Sequence, residues 1–159
     1  MKKQSTMDLA EHWAAYAFPA GLLKISYNHR AITGIERTSL SGGSPSSLSD
    51  EAARQLREYF EGKRKDFDLP LETHGTAFQE KVWAALRTIP YGETRSYKEL
   101  AQLLGNERAC RAVGGANNKN PIAIITPCHR VIGEDGSLTG YAGGLDMKRL
   151  LLELEQKYS

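Results

Sequence analysis

The chain has 159 residues, 40% of them apolar and 25% charged, with a formal net charge of +2. That is enough for one medium domain or two small ones. Its two cysteines, Cys110 and Cys128, and scattered histidines, His12, His29, His74 and His129, exclude a disulfide framework and show no zinc-ligand spacing. No stretch approaches the ~20 apolar residues of a membrane span, and Asp8 and Glu11 follow Lys2 and Lys3 where a leader would need an apolar run. A reduced, cytoplasmic setting is therefore expected.

In chain order, Trp13–Phe18 and Leu22–Tyr27 flank Pro19-Ala20-Gly21 and predict a β-hairpin, with a third strand over Ala31–Ile35. Residues 38–49 read as a mobile Gly/Ser loop. A helix is expected from Asp50 to Glu61, burying Ala53, Leu56, Tyr59 and Phe60 and ending at Gly62. The pattern changes between Pro70 and Gly75, where a domain boundary is expected.

Beyond it, Thr76-x-x-Gln79 predicts a capping box opening a helix with Phe78, Val82, Trp83 and Leu86 on one side. Ser96-x-x-Glu99 predicts a second, opening a short helix with Tyr97, Leu100, Leu103 and Leu104. After the turn at Gly105-Asn106-Glu107, residues Arg108–Asn117 can form the next helix. Two short helices about a Gly-containing turn fit a helix-turn-helix. From Arg95 to Arg130, six basic residues (Arg95, Lys98, Arg108, Arg111, Lys119, Arg130) face only Glu99 and Glu107, a balance compatible with a polyanion or a solvated face.

Gly114 and Gly115 within that helix each cost about 1 kcal/mol relative to alanine. Either another backbone packs closely there, or the helix enters a confined space such as the minor groove, roughly 6 Å wide. Arg111 at the edge of this small-residue face favours nucleic acid.

Asn120-Pro121 is a polar turn, and Ile122–Ile125 reads as a strand delivering Pro127-Cys128-His129-Arg130. A thiol attacks as thiolate, and neighbouring cations or an imidazole base are expected to lower its pKa. In an extended chain the side chains of Cys128 and His129 would point apart, so the imidazole would act through a water or a bend. Such a histidine needs an orienting carboxylate, and Glu155 in a final helix over Asp146–Lys157 is the candidate. A hairpin-like turn at Gly133–Gly136 and a glycine-rich loop at Gly140–Gly144 precede that helix.

Arg111-Ala-Val-Gly-Gly-Ala, Asn120-Pro121, Pro127-Cys128-His129-Arg130-Val131, and Tyr141-Ala-Gly-Gly-Leu145 with its Leu-Leu-x-x-Glu helix together resemble the O6-alkylguanine-DNA alkyltransferases over residues 74–159. The segment 50–71 is similar to the end of that family's N-terminal domain. The resemblance implies an α+β protein in two parts. Residues 1–73 form a small ribonuclease H-like domain, a β-sheet with a helix. Residues 74–159 form a mainly helical domain with the helix-turn-helix and the active-site cysteine.

It also implies roles. Cys128 is the alkyl acceptor, His129 the base through water, Glu155 its orienting carboxylate, Tyr97 the donor to guanine N3, and Asn120 the turn residue of the catalytic set. Substrate contacts are expected from the Cys128 and Val131 carbonyls, Tyr141, Ala142, Gly143 and the intercalating Arg111. DNA contacts are expected from Arg95, Ser96, Tyr97, Arg111, Ala112, Gly115, Ala116, Asn117 and Arg130. Ala142 stands where some members carry a serine, leaving only backbone amides for the guanine oxygen. Other members hold zinc through N-terminal cysteines, and this chain has none before Cys110. The expected partner is double-stranded DNA carrying O6-alkylguanine, and O4-alkylthymine as well. The lesion is flipped out and repaired once per molecule, by a monomer without metal, cofactor, membrane or protein partner. A lesion-binding relative without transfer and a cysteine hydrolase are the alternatives from other classes.

Overall fold

The computed structural model describes residues 12–159, and the stretch from Lys2 to Glu11, on which the expectation about a leader rests, lies outside them. The chain forms two compact units, Met1–Thr73 and His74–Ser159.

In the first unit, β1 (His12–Phe18), β2 (Gly21–Tyr27) and β3 (Ile32–Arg37) form an antiparallel meander in sequence order. Ala14 pairs with Ile25, which pairs with Ile35, and this period-two set is buried. Against the sheet lies α1 (Ser47–Phe60), burying Ala52, Ala53, Leu56, Tyr59 and Phe60. The helix starts three residues before the expected Asp50, because Ser46 and Ser49 cap each other reciprocally. The stretch expected to be a mobile loop is partly pinned: Ala15 donates to Gly42 O at 2.9 Å and Ser44 to Trp13 O at 2.7 Å. Gly43, at φ +96°, lies so close to β1 that a Cβ would meet Trp13 O at 2.4 Å. The return segment pairs Leu71 with Ile32, and the buried Gln55 clasps the backbone of Asp68 in both directions.

The second unit opens with α2 (Ala77–Leu86), capped by the expected Thr76–Gln79 box. Val82, Trp83 and Leu86 are buried, but Phe78 faces solvent. Ser96 and Glu99 make the second box at the head of α3 (Tyr97–Leu103), which buries Leu100 while Leu103 is exposed. A 3-10 turn over Glu107–Ala109 leads into α4 (Cys110–Asn118). Trp83 Nε1 donates to Ala116 O at 2.9 Å, locking α2 to α4 through a buried hydrogen bond.

Residues 122–125, expected as a strand, form a turn instead. Ile124 takes φ +73°, Ile125 N donates to Ala123 O and Thr126 N to Ile122 O. A β-branched residue in the left-handed region is strained, and it is held here because Ile122 and Ile124 are both buried. The turn feeds a 3-10 helix over Cys128–Arg130 and then β5 (Val131–Ile132), which pairs in parallel with β4 (Arg95–Ser96). The chain closes with α5 (Leu145–Tyr158), which buries Met147, Lys148, Leu151 and Glu155.

Candidate active site

Asn120 builds the approach to the thiol. Its Oδ1 accepts from Ile122 N at 3.0 Å, while Nδ2 lies 2.7 Å from Thr126 O, 3.3 Å from Ile122 O and 3.1 Å from Cys128 Sγ. One side chain thus shapes the 121–126 turn and offers a donor to the sulfur. Cys128 N also turns back to Thr126 O at 2.8 Å. The 3-10 conformation replaces the extended chain expected at Cys128-His129, so the argument that these side chains must point apart does not apply.

Cys128 is 6% exposed. Burial pushes its thiol up from the usual range, against the lowering effects of the Asn120 hydrogen bond and the Lys148 charge. This corrects the expectation that the His-Arg pair would depress the pKa. Arg130 spends its charge elsewhere, and burial keeps His129 neutral.

The imidazole is fully enclosed, with Nε2 at 2.7 Å from Glu155 Oε2. Burial disfavours the Glu155 anion, yet the hydrogen bonds from His129 and Arg130 and the Arg130 charge outweigh it and hold this carboxyl far below the usual carboxylate range. An ionised carboxylate only accepts, so Nε2 must carry the proton and donate. Nδ1 is then the lone-pair nitrogen, a buried atom with no hydrogen-bond partner among the described residues.

Arg130 completes the cluster. Its Nε and Nη2 donate to the two Glu155 oxygens at 2.8 and 3.0 Å, and Nη1 donates to Ile89 O at 2.6 Å. The guanidinium lies over the Tyr91 ring, 5.7 Å from its centroid, and Gly92 N reaches Glu155 Oε1 at 3.2 Å. Arg130 was expected on the DNA face, and its burial in this ion pair removes it from that role.

Lys148 was missed in the sequence. It is fully buried, donating from Nζ to Val131 O at 2.6 Å and Thr139 O at 2.8 Å, and burial lowers its pKa to about 8. The signal was present, because Lys148 precedes Glu155 by seven residues and so shares its buried helix face. Tyr97 Oη donates to the same Thr139 carbonyl at 3.0 Å. Asn117 Nδ2 lies 3.4 Å from Cys128 O. The Cys128 carbonyl thus accepts from Val131 N with the Asn117 amide nearby, and the Val131 carbonyl accepts from Lys148.

Among the remaining expected site residues, Tyr141 is buried, Ala142 is exposed, and Gly143 packs so closely that a Cβ would meet Tyr141 and Met147 at 2.9 Å. On α4, Arg111, Ala112 and Gly115 are exposed, whereas Ala116 and Asn117 face the core and are corrected from the DNA-contact set. Ser96 is likewise a buried cap, its Oγ taken by Glu99 N. A Cβ on Gly115 meets nothing within 4 Å, and one on Gly114 only Tyr97 at 3.8 Å. Among the described residues no neighbouring backbone accounts for the glycines, and the small-residue face is open. Arg95 pairs with Glu93 and Lys98 with Glu134, so the positive surface rests chiefly on exposed Arg108, Arg111 and Lys119.

Residues 77–157 match the 6-O-methylguanine DNA methyltransferase, DNA binding domain, and residues 12–73 the ribonuclease-like domain of the same family. A methylated-DNA–protein-cysteine methyltransferase of Methanosarcina barkeri is 67% identical over 106 residues, 67% of each chain. One of Mycolicibacterium paratuberculosis is 58% identical over 108 residues, 68% of this chain and 66% of its own. These alignments thus span about two thirds of the relatives' length. The crystal structure of Mycobacterium tuberculosis O6-methylguanine methyltransferase superposes with TM-score 0.86 at 44% identity, over 94% of this chain and 95% of that one. The M. tuberculosis OGT structure in complex with DNA gives TM-score 0.85 at 45% identity, over 92% and 94%. Domain matches along both units and structural likeness over nearly the whole length place the chain in the 6-O-methylguanine DNA methyltransferase family.

Proposed function

We infer that this chain repairs DNA by moving the alkyl group of O6-alkylguanine onto Cys128, each molecule acting once. The observation that carries this reading is a buried thiol contacted by Asn120 and followed directly by a neutral histidine whose tautomer Glu155 fixes. His129 Nδ1, through a water, takes the thiol proton as the sulfur approaches the alkyl carbon. The S–C bond forms as the C–O6 bond breaks, and the electron pair moves onto the guanine oxygen and ring. Tyr97 exchanges its bond to the Thr139 carbonyl for one to guanine N3 and passes its proton there, so the base departs neutral, and the proton taken up by His129 restores the phenol through solvent. The Cys128 and Val131 carbonyls take the exocyclic amine, which selects guanine over adenine, with the weak 3.4 Å Asn117 contact giving way at Cys128 O. The thioether is inert to water, and no group in the site reverses it.

An alkyl carbon inside a duplex cannot be reached along the line of displacement, so the nucleotide must leave the stack, at a cost of a few kcal/mol. The open face of α4 is shaped for a groove, and Arg111 at its edge fills the vacated stack. Residues 74–159 are thus read as the DNA-binding and alkyl-acceptor domain. Every group of the proposed site comes from that segment, so a single chain is the acting unit.

A duplex carrying one labelled O6-methylguanine tests this. One label per protein is expected on Cys128, and Cys128→Ala should bind the lesion without accepting it. Label transfer by that variant, or turnover beyond one equivalent, would overturn the assignment.

A further inference from the structure

We propose that Arg130 is a positioning residue of the alkyl-transfer site: by gripping Glu155 with two parallel bonds it takes up the carboxylate's charge and leaves His129 a neutral base with Nδ1 unprotonated. This rests on the transfer reading above. It replaces the expected role of Arg130 as a phosphate contact with one inside the reaction centre.

The geometry carries the argument. Glu155 is buried and has two cationic candidates at its oxygens, the imidazole at 2.7 Å and the guanidinium at 2.8 and 3.0 Å. One buried anion needs one compensating cation. A bidentate guanidinium, charged at every accessible pH, supplies it. A second positive charge on the imidazole would leave the cluster with an uncompensated buried cation. The third Arg130 donor, Nη1, is fixed on Ile89 O beyond the end of α2, and the Tyr91 ring covers the guanidinium. The arginine is therefore held from both sides and cannot swing toward DNA.

The other charged groups point the same way. Arg130 and Lys148 both act against protonation of His129, and among the described residues Glu155 favours it. From the α2 side, Arg87 donates to Thr126 Oγ1 at 3.0 Å, and Tyr91 is uncharged at neutral pH. The adjacent thiol of Cys128 is neutral at rest because burial holds it so. Without Arg130, His129 would become the counter-ion of Glu155 and hold both ring protons, losing the lone pair that the reaction needs.

The test is the single-turnover transfer rate from O6-methylguanine duplex as a function of pH, in wild type and Arg130→Gln. In the variant the acid limb should move up by about one pH unit or more, with transfer largely recovered at alkaline pH. A uniform loss at every pH, with the limb unmoved, would show a merely structural role. Weaker binding of undamaged duplex with a shallower salt dependence would restore the phosphate contact; either result overturns the proposal. Should the variant not fold, 15N NMR of His129 in the wild type decides. A protonated Nε2 with an unprotonated Nδ1 at pH 7 is expected, and an imidazolium there sinks the idea. Failure of wild-type protein to take label on Cys128 would instead remove the repair reading, leaving the tautomer measurement to judge Arg130 by itself.

Discussion

Asn120 shows how one side chain can serve shape and chemistry together. Its amide spans the turn that presents Cys128 and also lies 3.1 Å from the sulfur, where it stabilises the thiolate more than the thiol. A hydrogen bond to a charged acceptor is worth about 1.5–3 kcal/mol. Asn120→Ala should therefore slow single-turnover transfer roughly tenfold to a hundredfold. It should also slow alkylation of Cys128 by a small free electrophile that needs no DNA. Normal rates in a variant with lowered thermal stability would reduce Asn120 to a turn residue. Cys128, His129 and Glu155 were legible because the short Pro-Cys-His-Arg segment and the final amphipathic helix are local patterns. The Arg130–Glu155 pair was not, since it joins residues 25 apart through a buried contact that no single-sequence periodicity records. Lys148 was overlooked for a related reason: a lysine on an otherwise apolar helix face looks like surface until its two carbonyl acceptors are known.

At the scale of elements, α4 is the most informative. A Cβ at Gly115 would meet nothing within 4 Å among the described residues, so Gly115→Ala should stabilise the fold by roughly 0.5–1 kcal/mol through helix propensity. Gly115→Leu should fold equally well and yet bind duplex DNA more weakly, as measured by fluorescence anisotropy on undamaged duplex. Unchanged affinity in the leucine variant would place the DNA on another face. The capping boxes of α2 and α3 were readable because each is closed within four residues. The 122–125 segment misled because an apolar run of four is equally consistent with a strand and with a buried turn. Tertiary packing of Ile122 and Ile124, together with Asn120, decided for the turn. The 38–49 stretch was misjudged in a similar way, because Gly43 reads as flexibility in sequence and serves as close approach to β1 in the fold.

For the whole molecule, the buried polar cluster sets a pH dependence. His129 has its pKa lowered in the folded state, so the unfolded chain takes up that proton first as the pH falls. The sign is then fixed: stability is full above the unfolded histidine value, about 6.5, and declines below it. Glu155, held low by Arg130 and His129 against its burial, adds a second loss of the same sign below its usual range. Urea midpoints should therefore stay level near pH 7 and fall progressively toward pH 4, with His129→Gln flattening the first part of the decline. A midpoint independent of pH over that interval would mean the imidazole titrates alike in the native and unfolded protein, and one that rises as the pH falls would mean it is already charged in the native state. The division into two units and the position of the cysteine could be read from composition and motif. The pairing of β4 with β5 could not, because two-residue strands carry no pattern of their own.

That short ladder bears on how the protein could change over time. It sets Arg95 beside Val131 and Ser96 beside Ile132, so the residue just before Tyr97 is hydrogen-bonded backbone to backbone with the strand that presents the Val131 carbonyl. In the proposed reading, the Val131 side of the gauge for a nucleobase is therefore peptide, spaced at about 4.8 Å from the Arg95–Ser96 strand by the pairing itself. Substitution at position 131 or 132 can alter fit and speed but leaves that ruler standing. A lineage seeking a different base would have to rebuild the main chain, a far rarer event than exchanging a side group.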